Sequence, residues 1–253
     1  FLFGFGAFFG PIIVAQTVLL SGGINLAYWV VAIILVPVII WVLRVPSPTP
    51  KKQDEDTKLL RGEIILIVLV SLFFFLHVGA ELSFGDWIYT YSVSLGLANV
   101  TTAAYLTSGF WGSITLGRLI GIPFTARIRP RTMLLSSLVG ALVSVGIILI
   151  WSDSSIALWV GTIGTGLSMA SLFPSTITFA GRRLNITGRI TGWFFIGVGA
   201  GSMVFPWMIG QVFETVGPQS MMVIIIIGIV LALAVLAALI RFKVPGRDIR
   251  TAG

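Results

Sequence analysis

The chain has 253 residues, 57% of them hydrophobic and only 10% charged, with a mean hydropathy of +1.05. Its net charge of +7 and pI near 10.4 would suggest nucleic acid in a soluble domain, but the basic residues stand in short loops between apolar runs, so no nucleic-acid partner is expected. The absence of cysteine excludes disulfides, thiolate metal sites and cysteine nucleophiles.

Several uninterrupted apolar runs reach about twenty residues, the length that crosses a hydrocarbon core of ~30 Å. The fold class is therefore an all-α, multi-pass integral membrane protein, in contact with a lipid bilayer. Phe1 already lies inside an apolar run and no signal peptide is present, so the chain reads as a piece of something longer. In chain order, cutting at polar, Pro and Gly-rich breaks gives eight spans, at about 1–20, 24–43, 63–92, 101–126, 132–151, 155–180, 189–215 and 219–241. The one long connection, RVPSPTPKKQDEDTKLLRG at 44–62, is rich in Pro and mixed charge and reads as a solvated linker. It separates 1–43 from 63–241, and 242–253 forms a tail.

Orientation follows from the 16 Lys and Arg. The linker carries Arg44, Lys51, Lys52, Lys58 and Arg61. Arg127, Arg129 and Arg131 follow the fourth span, Arg182, Arg183 and Arg189 the sixth, and Arg241, Lys243, Arg247 and Arg250 the last. The opposite loops carry none, and only Arg118 lies within a span. By the positive-inside rule the linker and C-terminus are cytoplasmic, and the membrane is expected to be the plasma (inner) membrane.

The spans also differ by position. Those at 24–43, 132–151 and 221–240 are Val, Ile, Leu and Ala almost throughout, which reads as lipid-facing support. Those at 63–92, 101–126 and 155–180 carry polar and aromatic residues. The last six spans thus divide into two triplets of opposite topology, 63–151 and 155–241, as in many secondary transporters.

The most informative stretch is FFFLHVGAELSFGDWIYTYS at 73–92. A charge at a helix centre costs roughly 2.5–3.5 kcal/mol on insertion scales, so Glu81 needs a reason to be there. It is either a cation, proton or substrate-hydroxyl site in a central cavity, or a structural carboxylate neutralised in place by protonation or by His77. His77 is four residues away on the same face, and could set the protonation of Glu81 or simply be a packing residue. Gly85 offers a weak point in the helix, and Asp86 beyond it is expected to be solvated or to cap. Tyr89 and Tyr91 read as interfacial belt residues, while Trp87 could be belt or substrate-stacking.

In the fourth span Thr101, Tyr105, Ser108, Trp111, Thr115 and Arg118 recur at three- and four-residue steps as one polar-aromatic stripe, which lines a cavity or a helix contact. Tyr105 and Trp111 are candidates for the substrate wall. Arg118 is expected to snorkel or to pair with Glu63 or a helix terminus. Gly197, Gly199 and Gly201 permit close helix approach, and Gln211, on the face of Trp207, could bind hydroxyls or satisfy a neighbouring backbone. The sequon at Asn99 lies near the membrane on the outer side, and the one at Asn185 on the wrong side. One His, no Cys and no clustered carboxylates leave no triad, zinc site or phosphate loop, so no enzyme is expected.

Three segments carry a family resemblance. FGFGAFFGP at 3–11 is similar to the Gly-Pro pattern of a fifth helix; GRLIGIPFTARIRPR at 117–131 resembles the basic loop motif between helices eight and nine, with its usual early acidic residue absent and Arg118 after Gly117; HVGAELSFGDWIYTY at 77–91 looks like a VGAE-containing seventh helix. Together they resemble the major facilitator superfamily, in its fucose–proton symporter and sodium-dependent glucose transporter branch, from the fifth helix onward. The resemblance implies a partial fold: two helices of the N-terminal half plus a complete six-helix C-terminal bundle. It further implies transport of a sugar by alternating access, with a proton or sodium ion as coupling ion and no other cofactor, and with the N-terminal half as partner. The same fold also serves drug or lipid carriers, and a non-transporting receptor or scaffold is the remaining alternative.

Overall fold

The structure is a computed structural model that describes residues 2–21, 23–46, 60–125 and 127–242; the tail and most of the linker lie outside the described residues. Nine helices occur among them: α1 (Leu2–Ser21), α2 (Asn25–Arg44), α3 (Arg61–Ser94), α4 (Val100–Thr125), α5 (Pro130–Ile150), α6 (Ser155–Met169), α7 (Leu172–Gly181), α8 (Gly188–Val216) and α9 (Gln219–Arg241). All eight predicted spans are helical, but the sixth is broken. Its two parts, α6 and α7, meet at Ala170 and Ser171. Pro174 has no N–H for the Ala170 carbonyl, which supplies the local cause.

Local chemistry sets the ends. The backbone N–H of Leu60 donates to Glu63 Oε2 at 3.1 Å, so Glu63 caps its own helix. Asn99 accepts from the Thr102 N–H at 2.9 Å at the start of α4, and Ser154 and Thr187 accept from the N–H groups of Ala157 and Ile190. Proline stands at the first position of α5. Between α8 and α9 the chain reverses at Gly217, whose φ of 115° a side chain would strain.

The two triplets are α3, α4, α5 and α6–α7, α8, α9, and each packs chiefly on the other. α3 lies against α8 and α9, the α6–α7 unit lies against α4 and α5, and α5 meets α9. α4 and α8 flank α3 without substantial contact with each other. Two of the three bland helices are therefore more than lipid-facing support: Met221, Met222, Ile225, Ile229 and Leu236 of α9 are buried, as are Leu134, Leu138 and Val145 of α5. A hydrocarbon stripe alone could not foretell this, since lipid and protein neighbours are equally apolar.

Because lipid is as apolar as leucine, close fit rather than water exclusion holds such helices together. The fit is tightest where α8 crosses α3: a Cβ on Gly197 or Gly201 would collide with the carbonyl oxygen of Ser71 or Phe75, and the Ser71 hydroxyl donates to the Trp193 carbonyl at 3.1 Å. At the basic end, Arg183 donates to the Leu239 and Phe242 carbonyls and lies 4.4 Å from the centre of the Phe179 ring, closing the end of α9. Its partial burial pushes its pKa below the ordinary guanidinium value.

The first two helices reach the rest of the molecule through α1, which packs on α4. Phe8 fills the space above Gly112, and the Gln16 amide donates to the Tyr105 hydroxyl. α2 buries Ala27 alone among its residues.

Candidate functional site

The site is built on α3. Its 34 residues span about 51 Å at 1.5 Å per residue, more than enough to cross a ~30 Å hydrocarbon core, and Glu81 stands within its middle third. The helix runs unbroken through Gly85. That glycine admits a neighbour instead: the Trp111 ring of α4 stands where a Cβ would be, 2.8 Å from its ideal position. The rings of Phe84 and Phe110 lie 5.0 Å apart beside it. Trp111 is accordingly 8% exposed, a close-packed residue and not the loosely fitted bulk its size suggests.

Between these two helices lies a buried ion pair. Arg118 Nη2 of α4 stands 4.0 Å from Glu81 Oε1 of α3, with the Glu81 side chain 8% and the Arg118 side chain 25% exposed. This corrects two expectations. Glu81 takes its partner from the next helix, not from His77, and Arg118 reaches neither Glu63 nor a helix end. The signal was present in the sequence: Arg118 is the one basic residue within a span, and a lone charge in hydrocarbon seeks a lone counter-charge. The contact is loose, and Arg118 Nε is buried without a hydrogen-bond partner among the described residues.

His77 is completely buried, and neither ring nitrogen has a partner among the described residues. Its ring lies 5.0 Å from Phe73 and 5.3 Å from Phe74, one turn back along its own helix. The imidazole thus packs among aromatic rings, while the ion-pair partner of Glu81 is Arg118.

The other candidates disperse. Trp87 packs on Phe213 of α8 at 5.0 Å. Tyr105, 36% exposed, holds the α1 seam through Gln16, a residue the sequence did not single out. Gln211 lines a groove between α8 and α9 with Trp207 and Met208, a groove that no α3 or α4 residue enters. Tyr91 is fully buried with its hydroxyl unpartnered among the described residues, which overturns the belt reading for it; Tyr89 is half-buried and Asp86 exposed. Of the polar-aromatic stripe, Ser108 and Thr115 are buried, the latter bonded back to the Trp111 carbonyl at 2.9 Å.

Two helical triplets that pack by exchange around a long central helix, most of their helices long and apolar enough to cross a membrane, define a multi-pass helical membrane protein. The chain belongs to the Major Facilitator Superfamily, whose sequence profile matches residues 1–206. It is 34% identical over 184 residues to sodium-dependent glucose transporter 1 of Xenopus laevis, covering 70% of this chain and 37% of that protein. It is 36% identical over 154 residues to human major facilitator superfamily domain-containing protein 4A, covering 60% of this chain and 30% of that protein. The chain thus spans roughly a third of the length of these relatives. Among solved structures it resembles the transporter FucP in the outward conformation, with a TM-score of 0.60 and 15% identity over 85% of this chain and 54% of that one. This last likeness concerns the fold alone.

Proposed function

We propose that the protein moves a sugar or similar polyol across the membrane by alternating access, coupled to a proton or sodium ion. The observation that carries this reading is the Glu81–Arg118 pair, buried between α3 and α4 at the depth where carriers hold substrate and ion. A carboxylate there gains a proton or cation only if the guanidinium gives way, so ion binding and helix position become linked. The names of the glucose-transporter relatives support a sugar as substrate. In this reading α1 and α2 close the N-terminal half, 44–62 is a cytoplasmic linker, the six-helix unit is the C-terminal half, and the C-terminus is cytoplasmic.

The test is uptake by the full-length protein in proteoliposomes. Labelled glucose should accumulate under an imposed proton or sodium gradient. Glu81→Gln should abolish accumulation while leaving exchange of labelled for unlabelled sugar in place. Absence of gradient-driven uptake by the unaltered protein, or undiminished accumulation by Glu81→Gln, would refute the reading.

A further inference from the structure

At the basic end of the bundle α4, α5 and the α6–α7 break enclose a groove of about 370 Å³. Its floor is glycine, Gly117 and Gly121, and its walls carry Ser137, Ser168 and Ser171. Hydroxyls inside a membrane normally bond back to a carbonyl three or four residues earlier, as Ser144, Thr165 and Thr176 do here. The Ser137, Ser168 and Ser171 hydroxyls have no partner among the described residues, as is also true of the buried Ser83, Ser108 and Thr162 hydroxyls, but these three face one groove, and Ser137 lies about 10 Å along α5 from its start. Three hydroxyls open to one groove are free to donate to an acceptor from outside the chain.

The groove's own lining is uncharged, but the loop that joins α4 to α5 at this end is basic. Arg127, Arg129 and Arg131 of that loop are all exposed and in no ion pair among the described residues. No Asp or Glu occurs anywhere between Asp86 and Asp153, so neither α4 nor α5 can neutralise them. The inverted repeat provides a contrast. The corresponding groove between α8 and α9, about 530 Å³ at the opposite end, has a lining of Trp207, Met208, Val223 and similar residues and no basic residue.

We infer that the α4–α5 groove binds one anionic phospholipid of the leaflet on the basic side. Its phosphate sits on the loop arginines, its ester carbonyls accept from the serine hydroxyls, and an acyl chain runs beside Leu167 toward the membrane centre. Charge complementarity selects the headgroup, and the depth of the hydroxyls selects a lipid over a free anion. The site is independent of the transport reading.

The full-length protein in a neutral detergent, titrated with dioleoylphosphatidylglycerol, dioleoylphosphatidylcholine or inorganic phosphate, tests this by thermal melting and by lipid retention in native mass spectrometry. Phosphatidylglycerol should bind and stabilise, and phosphatidylcholine and inorganic phosphate should not. Replacing Arg127, Arg129 and Arg131 with Gln should weaken binding about a hundredfold, and Ser168→Ala with Ser171→Ala about fivefold. Arg182→Gln with Arg189→Gln, equally basic but away from the groove, should leave it within about twofold. Equal binding of the two lipids, an equal effect of phosphate, or an equal loss from the Arg182 and Arg189 changes would overturn the site. So would an unchanged affinity in the serine double variant, which alters only two hydroxyls and leaves the helices their packing should the arginine variant fail to fold.

Discussion

Glu81 and Arg118 are 37 positions apart in sequence and 4.0 Å apart in space, the one on α3 and the other on α4. Removing one member of a buried pair strands the other charge, so Arg118→Met should cost more than Glu81→Gln. The first is expected to lower stability by about 2 kcal/mol, less than for a fully buried pair because the Arg118 side chain is 25% exposed. The double variant should cost less than the sum of the two. Melting in detergent for both singles and the double measures the coupling, and strict additivity would mean that the two groups do not interact.

The α3–α8 crossing should fail selectively. Gly197→Ala places a methyl against the Ser71 carbonyl, backbone that cannot rotate away, and is expected to cost more than about 2 kcal/mol. Gly199→Ala meets nothing within 4 Å, and should be neutral or stabilising by up to about 1 kcal/mol through helix propensity. Two alanines on one helix with opposite effects would separate packing from propensity in a single melting series.

Arg183→Gln should loosen the basic end of α9. The guanidinium bonds two terminal carbonyls and covers the Phe179 ring, so its loss should cost about 1–2 kcal/mol. The change should appear as faster hydrogen exchange at residues 236–242, with exchange in the middle of α9 unaltered. Arg183→Lys should not restore it fully, because one ammonium replaces a fork of donors.

The α1–α4 seam can be read by cysteine cross-linking, since none of these 253 residues is a cysteine. Gln16→Cys with Tyr105→Cys should be joined by a short bismaleimide, whereas Gln16→Cys with Gln211→Cys should not. Tyr105→Phe, which removes only the hydroxyl, should cost about 0.5–1.5 kcal/mol.

The sequence by itself determined the spans and their division into two triplets, because hydrocarbon thickness fixes span length and polar breaks mark where the chain leaves it. It also marked Glu81, since an isolated carboxylate in such a run stands out on cost alone. Only the tertiary structure decided what Glu81 touches. Periodicity places His77 and Glu81 on one face, yet the imidazole leans back onto Phe73 and Phe74, and the partner comes from α4. The bland α5 and α9 gave no sign of their buried faces, because in lipid the hydropathy of a packed surface equals that of an exposed one. Gly85 read as a weak point and serves as a socket for Trp111, a difference that lies wholly in which helix comes near.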